Sequence, residues 1–340
     1  MKKISVFLVM ALLGMSVLFA GCGSESEGRK NVAVTFANSS ASWQRNGNTI
    51  KKTLEEEGFA VDLQFADNEQ QQIDQLKGMI EAKPRCIVIG AVNSGALSEV
   101  LKEAKAQQIP VIAYDRLVMN TDAVSYYASY DNEGVGQAMG EYIEAALKLK
   151  SGAGPFNIEV FAGDSGDNNA KLFFSGAMDV LKPYFDKGQL ICPSGETSFD
   201  RVMTKDWDPK NAQARMEKIM ADNYRDGKQL HAVLSPNDGC AVGIVTALAA
   251  SGYAGPQPIL TGQDADAAAL DNIRQGKQTI TIYKDPSLLT VKCVRMIKAV
   301  VEGVQPDIND VKTYNNRSIT VPSYLCTPYI VDKDNLDIVK

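Results

Sequence analysis

Short runs of apolar residues alternate with helical stretches along most of the chain, and this alternation limits the fold more than any other feature. The apolar runs include NVAVTFAN (31–38), CIVIGA (86–91), PVIAYD (110–115), FNIEVFAG (156–163) and HAVLSP (231–236). One intervening stretch repeats apolar residues at the spacing of one helix face: Ile73, Leu76, Met79 and Ile80. Because these strands are almost wholly apolar, the pattern predicts a parallel sheet covered by helices on both faces.

Two stretches of the chain follow the same plan and indicate a duplicated lobe. Residues 87–115 and 232–264 each run from a strand through an Asn-containing loop and a helix to a second strand that ends in Asp. Asp115 thus corresponds to Asp264, and the Asn of the second loop is Asn237. At 340 residues the chain also exceeds the usual size of one core. The predicted fold class is α/β, with two doubly wound parallel-sheet lobes joined by a crossover hinge.

Each predicted lobe is discontinuous in the sequence. The N-terminal lobe is expected to hold residues 31–130 and 286–322, and the C-terminal lobe residues 131–285 and 323–340. Crossovers are expected at Ala128–Asp131, Asp285–Pro286 and Pro322–Leu325. A ligand is expected to bridge the lobes and to favour hinge closure.

The first residues have the features of an export signal. Two lysines precede a nearly uninterrupted apolar run, and small residues stand directly before Cys22, which resembles the processing site of bacterial lipoproteins. Residues 1–21 are therefore predicted to be a signal peptide, Cys22 to carry a lipid, and residues 22–30 to form a polar tether. An uncleaved membrane anchor is the alternative, since the run is almost long enough to span a bilayer. The sequence at Cys22 favours a protein held by lipid at the outer face of the cell membrane, or in the periplasm.

Charge and cysteine content exclude several classes of function. The net charge of −6 and the absence of a basic stripe argue against nucleic acid, because phosphate binding needs clustered Lys and Arg. No CxxC pair occurs, so neither a zinc ribbon nor a thioredoxin-type site is predicted. No metal or other cofactor is expected. One disulfide remains an option among the cysteines beyond Cys22, which are Cys86, Cys192, Cys240, Cys293 and Cys326.

Charged residues follow the predicted strands at equivalent points of the two copies. Ligands of open parallel sheets bind outside the carboxyl ends of the strands. Two facing lobes would therefore direct Asp115 and Arg116 to one wall of a cleft, and Asn237 and Asp264 to the other. The alternative is a solvated ion pair at the surface, which stabilises little. Recurrence of the acid at equivalent strand ends favours the cleft.

Other polar and aromatic residues complete a candidate binding site. Trp43 and Trp207 lie in polar stretches beside predicted helix starts, and an indole face suits the C–H face of a sugar ring. Asn168, Asn169 and Lys284 could bond hydroxyl groups at the ring edge. Taken singly, each Trp could pack in the core, Asn168 and Asn169 could form a turn, and Lys284 could be a surface charge. Together they predict an uncharged ligand with many hydroxyls, because an apolar ligand would leave these groups unpaired.

Longer motifs resemble a known family over the chain from residue 31 to the C-terminus. SYYASYDN, GPFNIEVFAGD, DNNAKLFFSGAMDVLKPY, WDPKNAQARM, GQDAD and TIYKD are similar to segments of periplasmic sugar-binding proteins of the ribose-binding type, which include xylose-binding and multiple-sugar-binding receptors. The resemblance implies a monomeric type I periplasmic binding protein that captures a xylose- or glucose-like aldose for an ABC importer permease, sometimes with a chemosensory receptor as second partner. It also implies ligand contacts by Trp43, Asp115, Arg116, Asn168, Asn169, Trp207, Asn237, Asp264 and Lys284. These relatives often have a basic residue before the first Trp, where this chain has Ser42.

Three other classes of function compete with sugar binding for transport: an enzyme, a sugar-responsive repressor and a receptor for a different ligand. A hydrolytic triad is not predicted, because the one histidine, His231, lies far from any Ser or Cys motif. Asp115 and Asp264 could form the carboxylate pair of a glycosidase, but Arg116 beside Asp115 favours a permanently ionised acceptor. A sugar-responsive repressor would need a basic helix-turn-helix where the export signal stands. A receptor for another polyol or a furanose-type signal feeding chemosensing stays open, because pocket shape separates such ligands.

Overall fold

The computed structural model describes residues 30–38, 41–225 and 227–339. The predicted signal peptide (1–21), Cys22 and the predicted tether up to residue 29 lie outside the described residues. Within the described ranges, no helix combines the length and the apolar character that a membrane span needs.

Strands and helices alternate in these ranges as the apolar pattern predicts. The strands are β1 (Lys30–Ala37), β2 (Phe59–Ala66), β3 (Cys86–Gly90), β4 (Val111–Tyr114), β5 (Val124–Tyr130), β6 (Phe156–Val160), β7 (Leu190–Ile191), β8 (Ala232–Leu234), β9 (Ile259–Leu260), β10 (Thr281–Tyr283), β11 (Ser323–Cys326) and β12 (Tyr329–Val331). The helices are α1 (Ala41–Glu56), α2 (Glu69–Glu81), α3 (Ser98–Ala106), α4 (Asn132–Ala146), α5 (Asn168–Asp186), α6 (Phe199–Val202), α7 (Pro209–Asn223), α8 (Asp238–Ala250), α9 (Ala267–Arg274) and α10 (Pro286–Glu302). Short 3-10 turns span Leu149–Ser151, Lys205–Trp207 and Leu336–Ile338.

The first lobe is a parallel sheet with strand order β11-β5-β4-β3-β1-β2. Adjacent residues of β1 belong to different cores, Ala33 to the one under α2 and α3 and Val34 to the one under α1 and α10. Leu76 of α2 and Ile50 of α1 are fully buried in these two cores. Burial on both faces explains why the strands are apolar at consecutive positions.

The second lobe repeats the strand order of the first. Its four-stranded sheet runs β7-β6-β8-β9, and β10 continues it through a parallel bridge between Gln263 and Ile282. With β12 paired to β10, the order β12-β10-β9-β8-β6-β7 matches β11-β5-β4-β3-β1-β2 strand for strand. One difference is that β12 runs antiparallel to β10, whereas β11 runs parallel to β5. The predicted duplication is confirmed by this shared topology.

The third predicted crossover requires a correction. Strand β11 pairs with β5, from Ser323 opposite Tyr127 to Cys326 opposite Tyr130, so residues 323–326 belong to the first sheet. The predicted boundary at residue 323 is therefore wrong, and the chain passes to the second lobe between β11 and β12. The physical reason is that β11 covers the edge of β5 and buries Ser323 and Cys326 against it.

The cysteines of the described residues are all free thiols, so none of them forms the disulfide that the sequence left as an option. Cys86, Cys293 and Cys326 lie in one apolar core of the first lobe. They act there as small apolar side chains.

Candidate functional site

Asp115 directly follows β4, and Asp264 follows β9 after residues 261–263, in the equivalent turn of the second lobe. The backbone N–H of Asp115 donates to the carbonyl of Ala128 at 2.8 Å, and that of Asp264 donates to the carbonyl of Ile282 at 2.9 Å. Both acids have left-handed backbone conformations, with φ of 62° and 98°. Each turn is thus bonded to the neighbouring strand of its own sheet, as expected from the duplicated sequence plan.

A cavity of about 390 Å³ lies between the lobes, and both of these acids line it. This volume falls at the small end of the range for ligand sites. Eight of the nine predicted residues line the cavity: Trp43, Asp115, Arg116, Asn169, Trp207, Asn237, Asp264 and Lys284. The first lobe supplies three of these residues and the second lobe supplies five.

Asn168 is the predicted residue that the structure does not bring to the cavity. Asp167 caps α5 by accepting a hydrogen bond from the backbone N–H of Asn169 at 2.9 Å, so Asn168 becomes the first residue of the helix. The backbone N–H of Asn168 lies 3.4 Å from the hydroxyl of Ser94 in the first lobe. Asp167 lines the cavity in its place.

Asn169 connects the two lobes. Its side-chain amide donates to the backbone carbonyl of Asp115 at 2.9 Å, and its Oδ1 accepts from Nδ2 of Asn132 at 3.0 Å. Asn169 is 3% exposed, so these bonds form away from bulk water. The amide is therefore held in one orientation at the wall of the cavity.

Each indole lies against a glycine. A Cβ atom on Gly90 would stand 2.6 Å from Cζ3 of Trp43, and one on Gly163 would stand 2.0 Å from Cη2 of Trp207. Only glycine permits such a close approach of backbone to ring. Trp43 belongs to α1 rather than to the polar loop expected for it, and Trp207 ends a 3-10 turn with φ of 56°.

Neighbouring aromatic rings hold the indoles in place. The ring of Trp43 lies 5.1 Å from that of Phe36 and 6.2 Å from that of Tyr114. The ring of Trp207 lies 6.5 Å from that of Phe173, in an edge-on arrangement. Both indoles are half-buried, so each keeps surface that can contact a ligand.

Lys284 is a largely buried cation of the second wall. Its Nζ lies 3.0 Å from Oδ1 of Asp264 and 5.2 Å from the centroid of the Phe173 ring. Burial acts to lower the pKa of Lys284, but the carboxylates of Asp264 and Asp115 raise it above its ordinary value. Lys284 therefore remains a charged donor at neutral pH.

Arg116 bonds across the cleft rather than to its neighbour in the sequence. Its Nε lies 3.0 Å from Oδ2 of Asp167, and its Nη1 donates to the carbonyls of Ala91 and Val92. The guanidinium lies 5.6 Å from the centroid of the Trp43 ring. This ion pair joins the first lobe to the second.

Opposing charges surround Asp115 and act on its pKa. Burial raises the pKa of Asp115, and Asp167 and Asp264 raise it further. Lys284 and Arg116 lower it, but not enough to restore the ordinary value. Arg116 is turned towards Asp167 and only partly offsets the rise in the pKa of Asp115.

Several residues of the wall were missed by reasoning from the sequence. Gln263 is 1% exposed, its Nε2 donates to the carbonyl of Pro236, and its Oε1 is buried with no hydrogen-bond partner among the described residues. Its position directly before Asp264 at a strand end was the available signal. The other cavity-lining residues are Asn38, Ser42, Arg45, Asn46, Tyr130, Asp167, Phe173, Asp206, Asp266, Pro286 and Leu289.

Arg45 provides a cation on the same helix as Ser42, and both residues line the cavity. The pKa of Asp266 is raised by burial and by Asp264, while Arg45 and Lys284 act to lower it. Arg45 therefore places positive charge near the part of the wall formed by the Asp264–Asp266 turn.

The wall carries five Asp residues and three basic residues, so its formal charge disfavours an anionic ligand. No group of His, Cys, Asp or Glu in the described part of the chain is arranged to hold a metal ion. Hydrogen-bond donors and acceptors line the cavity together with two indoles. This arrangement suits a small neutral ring with apolar faces and hydroxyl groups at its edge.

Comparison with known proteins agrees with this geometry. The chain matches a family model described as a periplasmic binding protein domain over residues 32–305. It is 42% identical to the multiple sugar-binding periplasmic receptor ChvE of Rhizobium radiobacter, with 100% of this chain and 96% of the relative covered. It is 37% identical to the D-xylose-binding periplasmic protein of Escherichia coli K12, with 86% of this chain and 84% of the relative covered.

A solved structure is similar to the whole fold. An ABC transporter solute binding protein from Clostridium phytofermentans, with bound β-D-glucose, has a TM-score of 0.88 and 45% identity. The match covers 91% of this chain and 96% of that one. The curated relatives are sugar-binding proteins and the solved one is a solute binding protein of an ABC transporter, and the glycosidase alternative is set aside on that ground. The chain belongs to the periplasmic binding protein family, with the type I fold, and it is not an enzyme.

Proposed function

We propose that this chain is the extracytoplasmic substrate-binding component of an ABC importer for a xylose- or glucose-like aldose. The observation that carries the proposal is the cavity between the lobes, which is lined by Trp43, Trp207 and a set of charged and amide groups. The sugar-binding relatives in Rhizobium radiobacter, Escherichia coli and Clostridium phytofermentans support the same reading.

In the proposed complex the pyranose ring lies between the indoles, and its edge meets the polar wall. Asp115 and Asp264 accept from hydroxyl groups, while Lys284 and Arg116 donate to them. Asn169 and Asn237 complete the ring of contacts, since an amide can do both. In the closed complex the bound sugar would screen these groups from water, so a sugar without a matching hydroxyl would leave a buried group unpaired and bind more weakly.

Closure of the lobes accompanies binding. Several contacts already join the lobes across the cleft, among them the Arg116–Asp167 ion pair and a hydrogen bond from the N–H of Ser94 to the carbonyl of Gly166 at 3.0 Å. A ligand that touches both walls interacts more strongly with the closed state, and this difference shifts the equilibrium towards closure.

The proposal includes the membrane context of the protein. The export signal and Cys22 support a lipid-anchored protein, which would hold the binding domain near the permease at the outer face of the membrane. We further propose that the protein acts as a monomer and delivers sugar to that permease. Signalling through a chemosensory receptor is a second role that the resemblance suggests.

A thermal-shift series on the purified protein tests the proposal. A ligand that binds only the folded state at one hundred times its Kd stabilises by about 2.7 kcal/mol, so the melting temperature should rise clearly with D-glucose or D-xylose. L-glucose is the matched control, because it has the same composition and the opposite hand. Stabilisation by myo-inositol alone would favour the polyol alternative, and no response to any aldose would refute the function.

A further inference from the structure

A buried carboxylate lies next to the cavity without lining it. Asp238, in the first turn of α8, is 0% exposed. Its Oδ1 accepts from Nε2 of Gln278 at 2.8 Å. Its Oδ2 accepts from the hydroxyl of Thr281 at 2.8 Å and from the backbone N–H of Asp266 at 3.0 Å. All three partners donate, so both oxygens of Asp238 serve as acceptors.

The partners of Asp238 hold the turn that carries Asp264. Asp264 and Ala265 both have left-handed backbone conformations, with φ of 98° and 54°. Residues other than glycine keep such conformations only where the surrounding structure imposes them. The Asp266 N–H bonds Asp238 directly, and the Ala265 N–H lies 3.2 Å from the Thr281 hydroxyl that donates to Asp238.

Burying a carboxylate at this point is unfavourable, and its hydrogen bonds only partly offset the cost. Burial and the charge of Asp264 raise the pKa of Asp238 well above its ordinary value, although Gln278, Thr281 and the Asp266 N–H act to lower it. An apolar side chain would fill the same space without that cost. What an apolar side chain would not supply is two acceptors for the turn.

We propose that Asp238 is a positioning residue for sugar binding, which fixes the Asp264–Asp266 turn so that the Asp264 carboxylate faces the cavity. This inference rests on the proposed function, because its readout is sugar affinity. Asp238 acts through Asp264, which in this position lies 3.0 Å from Nζ of Lys284. The site therefore depends on a residue that does not touch the ligand.

Asp238→Asn is the informative variant, because it preserves shape and replaces one acceptor by an NH₂ group that must face a donor. Glu159→Gln is the matched control. Glu159, in β6 of the same lobe, is also 0% exposed and accepts from the N–H of Ser194 at 3.2 Å and the hydroxyl of Tyr224 at 3.0 Å, but it does not line the cavity. Both variants should lower the melting temperature of the full-length protein.

Titration calorimetry with D-glucose separates positioning from stability. Asp238→Asn should raise Kd about tenfold, the effect of one impaired hydrogen bond to a charged group, whereas Glu159→Gln should change Kd less than about twofold. An Asp238→Asn protein that binds D-glucose with the wild-type Kd overturns the inference. Equal weakening in both variants overturns it too, since a general loss of stability would then explain the effect.

A double-mutant cycle tests the route through Asp264. Once Asp264→Asn has removed the carboxylate, adding Asp238→Asn should weaken binding much less than it does in the wild-type background. Additive effects would mean that Asp238 acts by another path and would overturn the inference. If Asp238→Asn does not fold, Thr281→Val decides, because it deletes the hydroxyl between Asp238 and Ala265 with little change in shape. Thr281→Val should raise Kd, and a wild-type Kd overturns the inference.

The two proposals fail in different ways. If the wild-type protein binds no aldose, the proposed function is wrong. If the wild type binds D-glucose and the Asp238→Asn and Thr281→Val variants bind it equally well, only the positioning role of Asp238 is wrong.

Discussion

Replacing Asp264 with Ala should both destabilise the unliganded protein and remove a ligand contact. The change deletes the carboxylate 3.0 Å from Nζ of Lys284. The Lys284 side chain is 15% exposed and that of Asp264 is 37% exposed, so a mostly buried cation loses a partly exposed partner. The loss of stability should therefore lie between the values for buried and for surface ion pairs.

The expected loss of stability follows from the exposed fractions of these two side chains. Breaking a fully buried pair costs about 3–5 kcal/mol, whereas an exposed pair contributes about 1 kcal/mol or less. Because Asp264 is more than a third exposed and Asp115 still faces Lys284, we expect a loss of about 2 kcal/mol. For a lobe of this size, that loss lowers the melting temperature by about 4–8 °C.

Calorimetric melting of the unliganded protein measures this loss. The matched control is Asp271→Ala, which removes an Asp from an exposed pair with Arg274 and should leave the melting temperature unchanged within error. In an Asp264→Ala background, Lys284→Met should cost less stability than in wild type, because the cation is already unpaired. If Asp264→Ala melts at the wild-type temperature, the Lys284–Asp264 pair contributes no stability and the reasoning is refuted.

Two further predictions concern the indole and the acids. Gly163→Ala should weaken D-glucose binding, because the added Cβ would stand 2.0 Å from the Trp207 ring and displace the ring. Gly78→Ala is the control, since a Cβ there would have no atom within 4 Å. Equal affinities of the two variants in titration calorimetry would contradict the prediction. Acidification from neutral pH towards about pH 4, the ordinary carboxyl range, should weaken sugar binding, because burial raises the pKa of Asp115 and protonation removes an acceptor. The affinity for sugar should rise as the pH rises through the raised pKa of Asp115, and Asp115→Asn should make the affinity less dependent on pH. The same pH dependence in wild type and in Asp115→Asn would contradict the assignment of this effect to Asp115.

The architecture was predictable because its signal lies in periodicity. Consecutive apolar residues at β1 and β3 indicated burial on both faces, and the Asp that follows each of the strands β4 and β9 indicated the duplication. The boundary at residue 323 was not predictable in the same way. SYLC alternates too briefly to tell which sheet edge it covers, and that choice depends on pairing with β5, far away in the sequence.

The site was predictable where a residue type is unusual for its position, as with Asp115 and Asp264 at strand ends. Prediction from the sequence failed where backbone geometry decides the direction of a side chain. Asp115 has φ of 62°. Arg116, the next residue in the sequence, pairs with Asp167 of the other lobe and not with Asp115. Gln263 was missed because one glutamine has no periodic signature, and its position directly before Asp264 was the one signal that the sequence offered.

Part of the contact between the lobes does not depend on a ligand. Arg116 pairs with Asp167 across the cleft at 3.0 Å, and both side chains are largely buried there. This pair favours closure with any sugar, whereas contacts with individual hydroxyls differ between sugars. Asp167→Asn keeps an acceptor that can cap α5 but removes the charge facing Arg116. It should therefore weaken D-glucose and D-xylose binding by the same factor in titration calorimetry. A change in the ratio of the two Kd values would instead mean that Asp167 contacts the sugar directly and selects between ligands.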